Sequence, residues 1–236
     1  MGQPRLFSRI DSAVYEYDML PDGCRVLVGA SGGKDSTLLV EYFANRMKRR
    51  KGGRFSFSAV YMRSDFAPPF NSGLKEIFQD WNVDFVSQDV DVLGRLKPGR
   101  KMNCFWCSMQ RRTELIRYAM AHGYDTIALG HHLDDILETL LMNMLVKSTL
   151  STMPPVVHYE KYPLRIIRPL AFVPVDMIVE HAVERGWKSM TCTCGYQDNS
   201  GRKEMRRRLE SLTDGDVNKK MHLFNALKNI HRDYLP

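Results

Sequence analysis

The 236-residue chain predicts an α/β fold: a doubly wound, mainly parallel five-stranded sheet with helices on both faces, followed by a helical C-terminal extension. Three observations carry this. From Arg25 onward short apolar runs alternate with stretches of helical periodicity, the pattern of parallel strands joined by crossover helices. The first apolar run, Val26-Leu27-Val28, passes into the glycine pair Gly32-Gly33 and then into a helix-like stretch. After Asp134, the residues Ile136, Leu137, Leu140, Leu141, Met144 and Leu145 fall on one helical face, as a helix laid on a sheet requires.

The elements follow in order. Leu6, Ile10 and Val14 stand at helical spacing, so residues 1–24 read as a helical segment packed beside the core. Strands are expected at 26–30, 55–62, 84–87, 126–129 and 164–167, with right-handed crossovers between them. Residues 147–163 hold Met153-Pro154-Pro155, break the alternation and read as a long loop, a type that is usually functional or disordered. Residues 25–175 thus form a nucleotide-binding α/β domain, and 176–236 a helical extension whose last amphipathic helix carries Val217, Met221 and Phe224. No internal repeat is present.

Composition narrows the function. Lys and Arg number 34 against 27 Asp and Glu, a net charge of +7, and the cations cluster at Lys48-Arg49-Arg50-Lys51, Arg111-Arg112, Arg202-Lys203 and Arg206-Arg207-Arg208. Such clustering favours a polyanionic partner, although a charge run is also the ordinary dress of a solvated face. No apolar stretch approaches the roughly 20 residues that cross a bilayer, and the N-terminus has no signal-peptide pattern, so no membrane partner and a cytoplasmic location are expected. Five cysteines, an odd number, in such a chain argue for metal or redox chemistry over a disulfide framework. Cys104 and Cys107 form one pair, Cys192 and Cys194 another, and Cys24, just before the first strand, reads as a packed thiol.

In a doubly wound sheet ligands sit beyond the carboxyl ends of the strands, so the loops there should converge on one site. After the first strand comes Ser31-Gly32-Gly33-Lys34-Asp35-Ser36. Paired glycines let several main-chain N–H groups turn toward one anion, and the positive end of the following helix adds to the attraction. Asp35 and Ser36 also suit helix capping. The loop is not the kinase-type P-loop, which needs glycine where Val28 stands and Ser or Thr where Asp35 stands. After the second strand comes Met62, a candidate adenine contact or a core residue. After the fourth comes Gly130-His131-His132-Leu133-Asp134-Asp135, which sets two carboxylates where Mg²⁺ would bridge phosphates, or where they would simply favour a helix N-terminus. His131 and His132 are candidates for touching phosphate or the target base.

Cys104-x-x-Cys107 is spaced for one metal centre and precedes a helix bearing Arg111. By itself the pair permits zinc, an iron–sulfur cluster or a redox dithiol, structural zinc being the commonest use. Cys192 and Cys194 lie about ninety residues on. With four thiolates a closed zinc site results; three leave one iron of a [4Fe-4S] cluster open.

The glycine loop resembles the pyrophosphate loop of the ATP pyrophosphatases, which cleave ATP between its α and β phosphates. The resemblance then becomes closer. The glycine loop, Cys104-Phe-Trp-Cys107 with Arg111-Arg112, Ile127-Ala-Leu-Gly-His-His-Leu-Asp-Asp135, Met153-Pro-Pro155, Ile167-Arg-Pro-Leu-Ala171 and Cys194-Gly-Tyr-Gln197 occur in the order seen in the tRNA 2-thiocytidine biosynthesis family, over residues 25–208. The resemblance implies an adenine nucleotide alpha hydrolase-like fold and a [4Fe-4S] cluster on Cys104, Cys107 and Cys194. It also implies ATP on Ser31, Gly32, Gly33, Lys34, Asp35 and Ser36 with Met62, Gly130 and His131, and Mg²⁺ on Asp134 or Asp135. Lys34, Asp35, Arg111 and Asp135 become the catalytic candidates. Cys192 does not align with a family cysteine. The implied reaction is thiolation of a tRNA cytidine at C2, through adenylation of its oxygen and substitution by sulfide from a cysteine desulfurase or free sulfide, by a homodimer. Two other functions fit the residues alone: an ATP pyrophosphatase with an amine nucleophile and structural zinc, and a non-catalytic redox sensor that binds ATP and a cluster.

Overall fold

The structure is a computed structural model and describes residues 4–49, 54–187 and 200–234. In chain order the elements are α1 Arg5–Glu16, β1 Arg25–Gly29, α2 Lys34–Arg49, β2 Ser56–Ser64, α3 Ser72–Asp80, β3 Phe85–Val90, α4 Cys104–Ala121, β4 Thr126–Ala128, α5 Leu133–Lys147, β5 Val156–His158, β6 Arg165–Ile167, α6 Val175–Glu184, α7 Ser200–Thr213 and α8 Val217–Ala226. A 3-10 turn, Pro169–Phe172, joins β6 to α6.

The six strands lie in the order β3-β2-β1-β4-β6-β5. Every neighbouring pair is parallel except β5 with β6. Successive side chains of a strand point to opposite faces, and β1 shows the result: Val26 and Val28 enter one core and Leu27 the other. The first core receives α1, α2, α3 and α5 through residues such as Ile10, Leu38, Phe78 and Ile136, and also Leu209 of α7 and Phe224 of α8. The second is covered by α4 through Leu115 and Ala119. Both faces are therefore dry, which is why the parallel strands read as continuous apolar runs rather than as alternation. Cys24 is buried at the entry to β1 and its thiol pKa is raised by burial, as a packed thiol should be.

The sheet has one strand more than the sequence predicts. Residues 149–155 run back along α5, held by the Asn143 side-chain amide donating to Ser151 O at 2.9 Å and by the Thr152 hydroxyl donating to Ile136 O. The chain then descends as β5 and returns as β6 through a hairpin in which Tyr159 N–H donates to Leu164 O at 3.0 Å. Three residues following two prolines give no strand periodicity, and β5 exists because β6 offers it an open edge. The Met153-Pro154-Pro155 segment is thereby returned to the carboxyl end of the sheet. Among the described residues no helix is long and apolar enough to cross a membrane.

Candidate active site

From β1 the chain winds outward to β2 and β3, whereas from β4 it proceeds to the other side of the sheet, so β1 and β4 flank the point where the strand order reverses. A crevice opens beyond their carboxyl ends, where such sheets bind ligands. It holds a cavity of about 370 Å³ with one wall from the β1–α2 loop, one from the residues after β4 and one from α4.

The β1–α2 loop contributes Ser31, Asp35 and Ser36 to that wall. Gly32 has φ +80°, a conformation that a Cβ opposes. The Ser36 hydroxyl accepts from Ser31 N–H at 3.1 Å and donates to Gly33 O at 3.0 Å, so the loop is cross-braced before any anion arrives. α2 begins at Lys34, and its first N–H groups, without intrahelical acceptors, face the loop's concavity. Lys34 and the two glycines lie at the crest and are not among the lining residues; the Lys34 ammonium is parked on Asp35 at 2.8 Å.

Gly130 permits the second wall to approach the first: a Cβ there would stand 3.0 Å from the Asp35 carbonyl carbon and 3.1 Å from Ser36 N. His132 is buried and caps α5, accepting from Asp135 N–H at 3.3 Å while its own backbone N–H donates to the Asp135 carboxylate at 3.2 Å. Its Nε2 lies 3.4 Å from Asp135 Oδ2 and 3.9 Å from Asp35 Oδ1. One imidazole thus gathers the two carboxylates that line the cavity, and such a pair suits Mg²⁺, which takes one or two protein carboxylates and keeps its waters. Asp134 points elsewhere. Its Oδ2 accepts from Val175 N–H at 2.7 Å and its Oδ1 pairs with Lys220 at 2.9 Å, both inside the protein. Of the two adjacent carboxylates, Asp135 is the one that lines the cavity.

His131 lines the cavity with Arg168 against it, the guanidinium Nε donating to Nδ1 at 3.3 Å. Burial, and next the Arg168 charge, push the His131 pKa down to about 4. The ring is neutral at physiological pH. Arg168 is itself pulled down to about 10 by burial and by Arg112, and stays cationic. Its second anchor is Pro154 O at 2.6 Å, so the returned proline segment steadies this arginine.

The third wall is one face of α4. Asn103 caps the helix by accepting from Trp106 N–H at 2.9 Å. Cys104 and Cys107 occupy the first turn, half-buried; Ser108, Arg111 and Arg112 follow on the cavity, then Leu115 and Ile116 deeper in. Four residues of helix advance about 6 Å, so Arg111 sits one turn from the Cys107 position. The Arg111 Nε is buried and has no hydrogen-bond acceptor among the described residues. Met62, buried near the end of β2, joins Val60, Leu115 and Leu129 in an apolar end of the cavity. Two half-buried thiols one turn apart fit a soft metal or an iron–sulfur cluster. Cys192 and Cys194 lie outside the described residues.

The residues from 8 to 212 match a family described as the PP-loop domain. The chain belongs to the PP-loop family. Within it, the relatives place the chain in the tRNA 2-thiocytidine biosynthesis branch of the ATP pyrophosphatases. The tRNA-cytidine(32) 2-sulfurtransferase of Methylococcus capsulatus is 34% identical over 234 residues, covering 97% of this chain and 80% of that one. The protein of the same name from Paraburkholderia xenovorans is 33% identical over 237 residues, 98% of this chain and 70% of that one. Among solved structures, the U34-tRNA thiolase NcsA of Methanococcus maripaludis, which has a [4Fe-4S] cluster, superposes with a TM-score of 0.74 at 21% identity, over 94% of this chain and 77% of that one. The NH3-dependent NAD synthetase of Campylobacter jejuni gives 0.52 at 13% identity over the whole of both. At those identities the two structures speak for the PP-loop fold alone.

The sequence offers His132 as a contact for phosphate or base, and the structure instead makes it a buried cap beside Asp35 and Asp135. Two residues at the site were not singled out by the sequence. Arg168 follows the last strand, and that position was the signal that could have found it. Arg202, on α7, reaches the cavity rim and lies 3.8 Å from Asp135; in the sequence it is one cation in a basic run.

Proposed function

We propose that the chain is an ATP-dependent tRNA sulfurtransferase that replaces the C2 oxygen of a cytidine by sulfur through an adenylated base. One observation carries this reading: a single cavity is walled by Ser31, Asp35 and Ser36 and by Ser108, Arg111 and Arg112 of α4, the helix whose first turn, next to that lining, bears Cys104 and Cys107. The thiols thus stand beside the nucleotide cavity, and the relatives named tRNA-cytidine(32) 2-sulfurtransferase support a sulfur transfer to tRNA.

ATP lies with its base against Met62 and Leu129 and its phosphates on the glycine-loop amides and the α2 N-terminus. Lys34 leaves Asp35 for the β and γ phosphates, which frees the Asp35 carboxylate; Asp35 and Asp135 would hold Mg²⁺, which when bound supplies positive charge against the phosphates. The cytidine C2 oxygen attacks the α-phosphorus; the bond from phosphorus to the bridging oxygen breaks and pyrophosphate leaves. Arg111, through its unsatisfied Nε, and Arg112 take up the charge that grows on the α-phosphate, as donors aimed at developing charge do. Neutral His131 can donate a hydrogen bond to the same group without requiring a counter-ion. Sulfide from the sulfur donor then bonds to C2, the C2–O bond breaks, and AMP departs with the oxygen, a substitution with no net oxidation. Cys104, Cys107 and Cys194 would hold the [4Fe-4S] cluster, which when bound supplies an iron with an exchangeable position for sulfide.

The test is reconstitution under anaerobic conditions with ATP, Mg²⁺, sulfide and unmodified tRNA. Pyrophosphate release should depend on tRNA, nucleoside mass spectrometry should show 2-thiocytidine, and Lys34→Ala should slow release by roughly a hundredfold or more. Release that ignores tRNA, from a colourless zinc protein, would sink the proposal.

A further inference from the structure

Residues 97–105 carry a second feature, outside the cavity. Arg100 N–H donates to Lys97 O at 3.1 Å, Pro98 follows Lys97, and Gly99 has φ +78°. That is a type II turn, with proline and glycine at the positions its geometry favours. It brings the Lys97 and Arg100 α-carbons within about 7 Å of each other, and Lys101 comes next. All three side chains are exposed and none is paired with a described carboxylate. Nearby Arg95, by contrast, is spent on Glu114 at 2.6 Å.

These cations border a cleft of about 290 Å³ that also contains Asn103, Phe105 and Trp106. Trp106 is anchored as its floor, the indole N–H donating to Val92 O at 3.1 Å. Phe105, which lines the same cleft, is 75% exposed on the first turn of a capped helix. Met109, one turn further on the same face, is 39% exposed. This apolar strip runs beside the strip of Cys104 and Ser108, and Ser108 lines the cavity. A lone exposed phenyl is ordinary. One on a capped helix turn, beside three cations that have no described carboxylate partner and on the helix that also lines the nucleotide cavity, has the two elements that single-stranded nucleic acid requires, a stacking face and a phosphate track.

We propose that Phe105 with Lys97, Arg100 and Lys101 forms a shelf that stacks an unpaired base of the RNA substrate beside the nucleotide to be modified and grips the adjoining phosphates. The inference rests on the reading that RNA is the substrate. A protein partner would also bury an exposed phenyl, but leucine serves apolar burial, whereas stacking on a base requires the planar ring.

The experiment is fluorescence anisotropy of a labelled, unmodified tRNA transcript against the full chain over a salt series, with ATP affinity and oligomeric state measured in parallel. Phe105→Ala should weaken tRNA binding about tenfold or more and Phe105→Trp should restore it; Phe105→Leu, apolar but not planar, should not. The triple variant K97A/R100A/K101A should flatten the slope of log affinity against log salt by roughly two units. Wild-type binding with variants indistinguishable from it overturns the shelf and leaves the proposed reaction standing. So does a Phe105→Ala protein whose oligomeric state or ATP affinity changes in step with its tRNA affinity, since the ring would then serve packing or self-association. Failure of the wild-type chain to bind tRNA overturns the proposed reaction and the shelf together.

Discussion

His131 is held neutral by its surroundings, and this has a measurable consequence for stability. An unfolded chain protonates histidine near 6.5, whereas His131 in the folded chain waits until about 4, because burial and then Arg168 disfavour the cation. Between those values the unfolded state binds more protons. The stability contributed by this group is therefore complete above about pH 6.5 and is lost as the pH falls toward 4. Urea unfolding measured from pH 7 to pH 4.5 should show that loss, and His131→Gln, which cannot titrate, should reduce it. An unchanged pH slope in the variant would assign the effect to another group. The neutral ring also leaves the positive charge of the cavity with the arginines, which cannot be switched off by pH.

At the scale of elements, the α5 N-terminus is a junction. Its cap, His132, faces the cavity carboxylates, while Asp134, two residues on, reaches inward to the first N–H of α6 and to Lys220 of α8. Asp134 is 3% exposed and Lys220 1%. A buried pair is neutral to build but expensive to break, since the surviving charge is left without water. Lys220→Met should thus cost about 3–5 kcal/mol in chemical denaturation. The double variant D134N/K220M should cost less than Lys220→Met alone, because no buried charge remains. A double variant that loses more than the single would show that the pair is a net stabiliser. Glu138, on the next turn, makes a parallel link to Arg206 of α7 at 2.7 Å. The two C-terminal helices are consequently tied to the same helix that carries the site.

For the molecule as a whole, the cavity draws on residues from Gly29 to Arg202, so nearly the entire chain must fold before ATP has a place to bind. The chain's third proposed cluster ligand belongs to this scale too. Cys194→Ser should lose iron and acid-labile sulfide from anaerobically purified protein, and Cys192→Ser should retain both. The opposite result would reassign the ligand to Cys192.

What the residues determined alone is whatever depends on short spacing. Alternating apolar runs specified a parallel sheet because strands buried on both faces must be apolar at every position. Gly32 marked a tight strand-to-helix loop because its positive φ is one that a Cβ opposes, and the order of motifs specified the branch of the family. The tertiary structure decided which of two adjacent carboxylates faces the cavity, since Asp134 and Asp135 differ only in the side of α5 from which they project. It decided that β5 exists, because three residues become a strand only when an edge is offered. It also brought Arg202 to the cavity rim and set buried Arg168 and His132 behind His131 and Asp135, and it left Phe105 in water while turning Trp106 inward. Sequence patterns report the backbone's own preferences over a few residues. Which side chain meets which ligand depends on the packing of distant elements, and that is settled when the sheet closes under its helices.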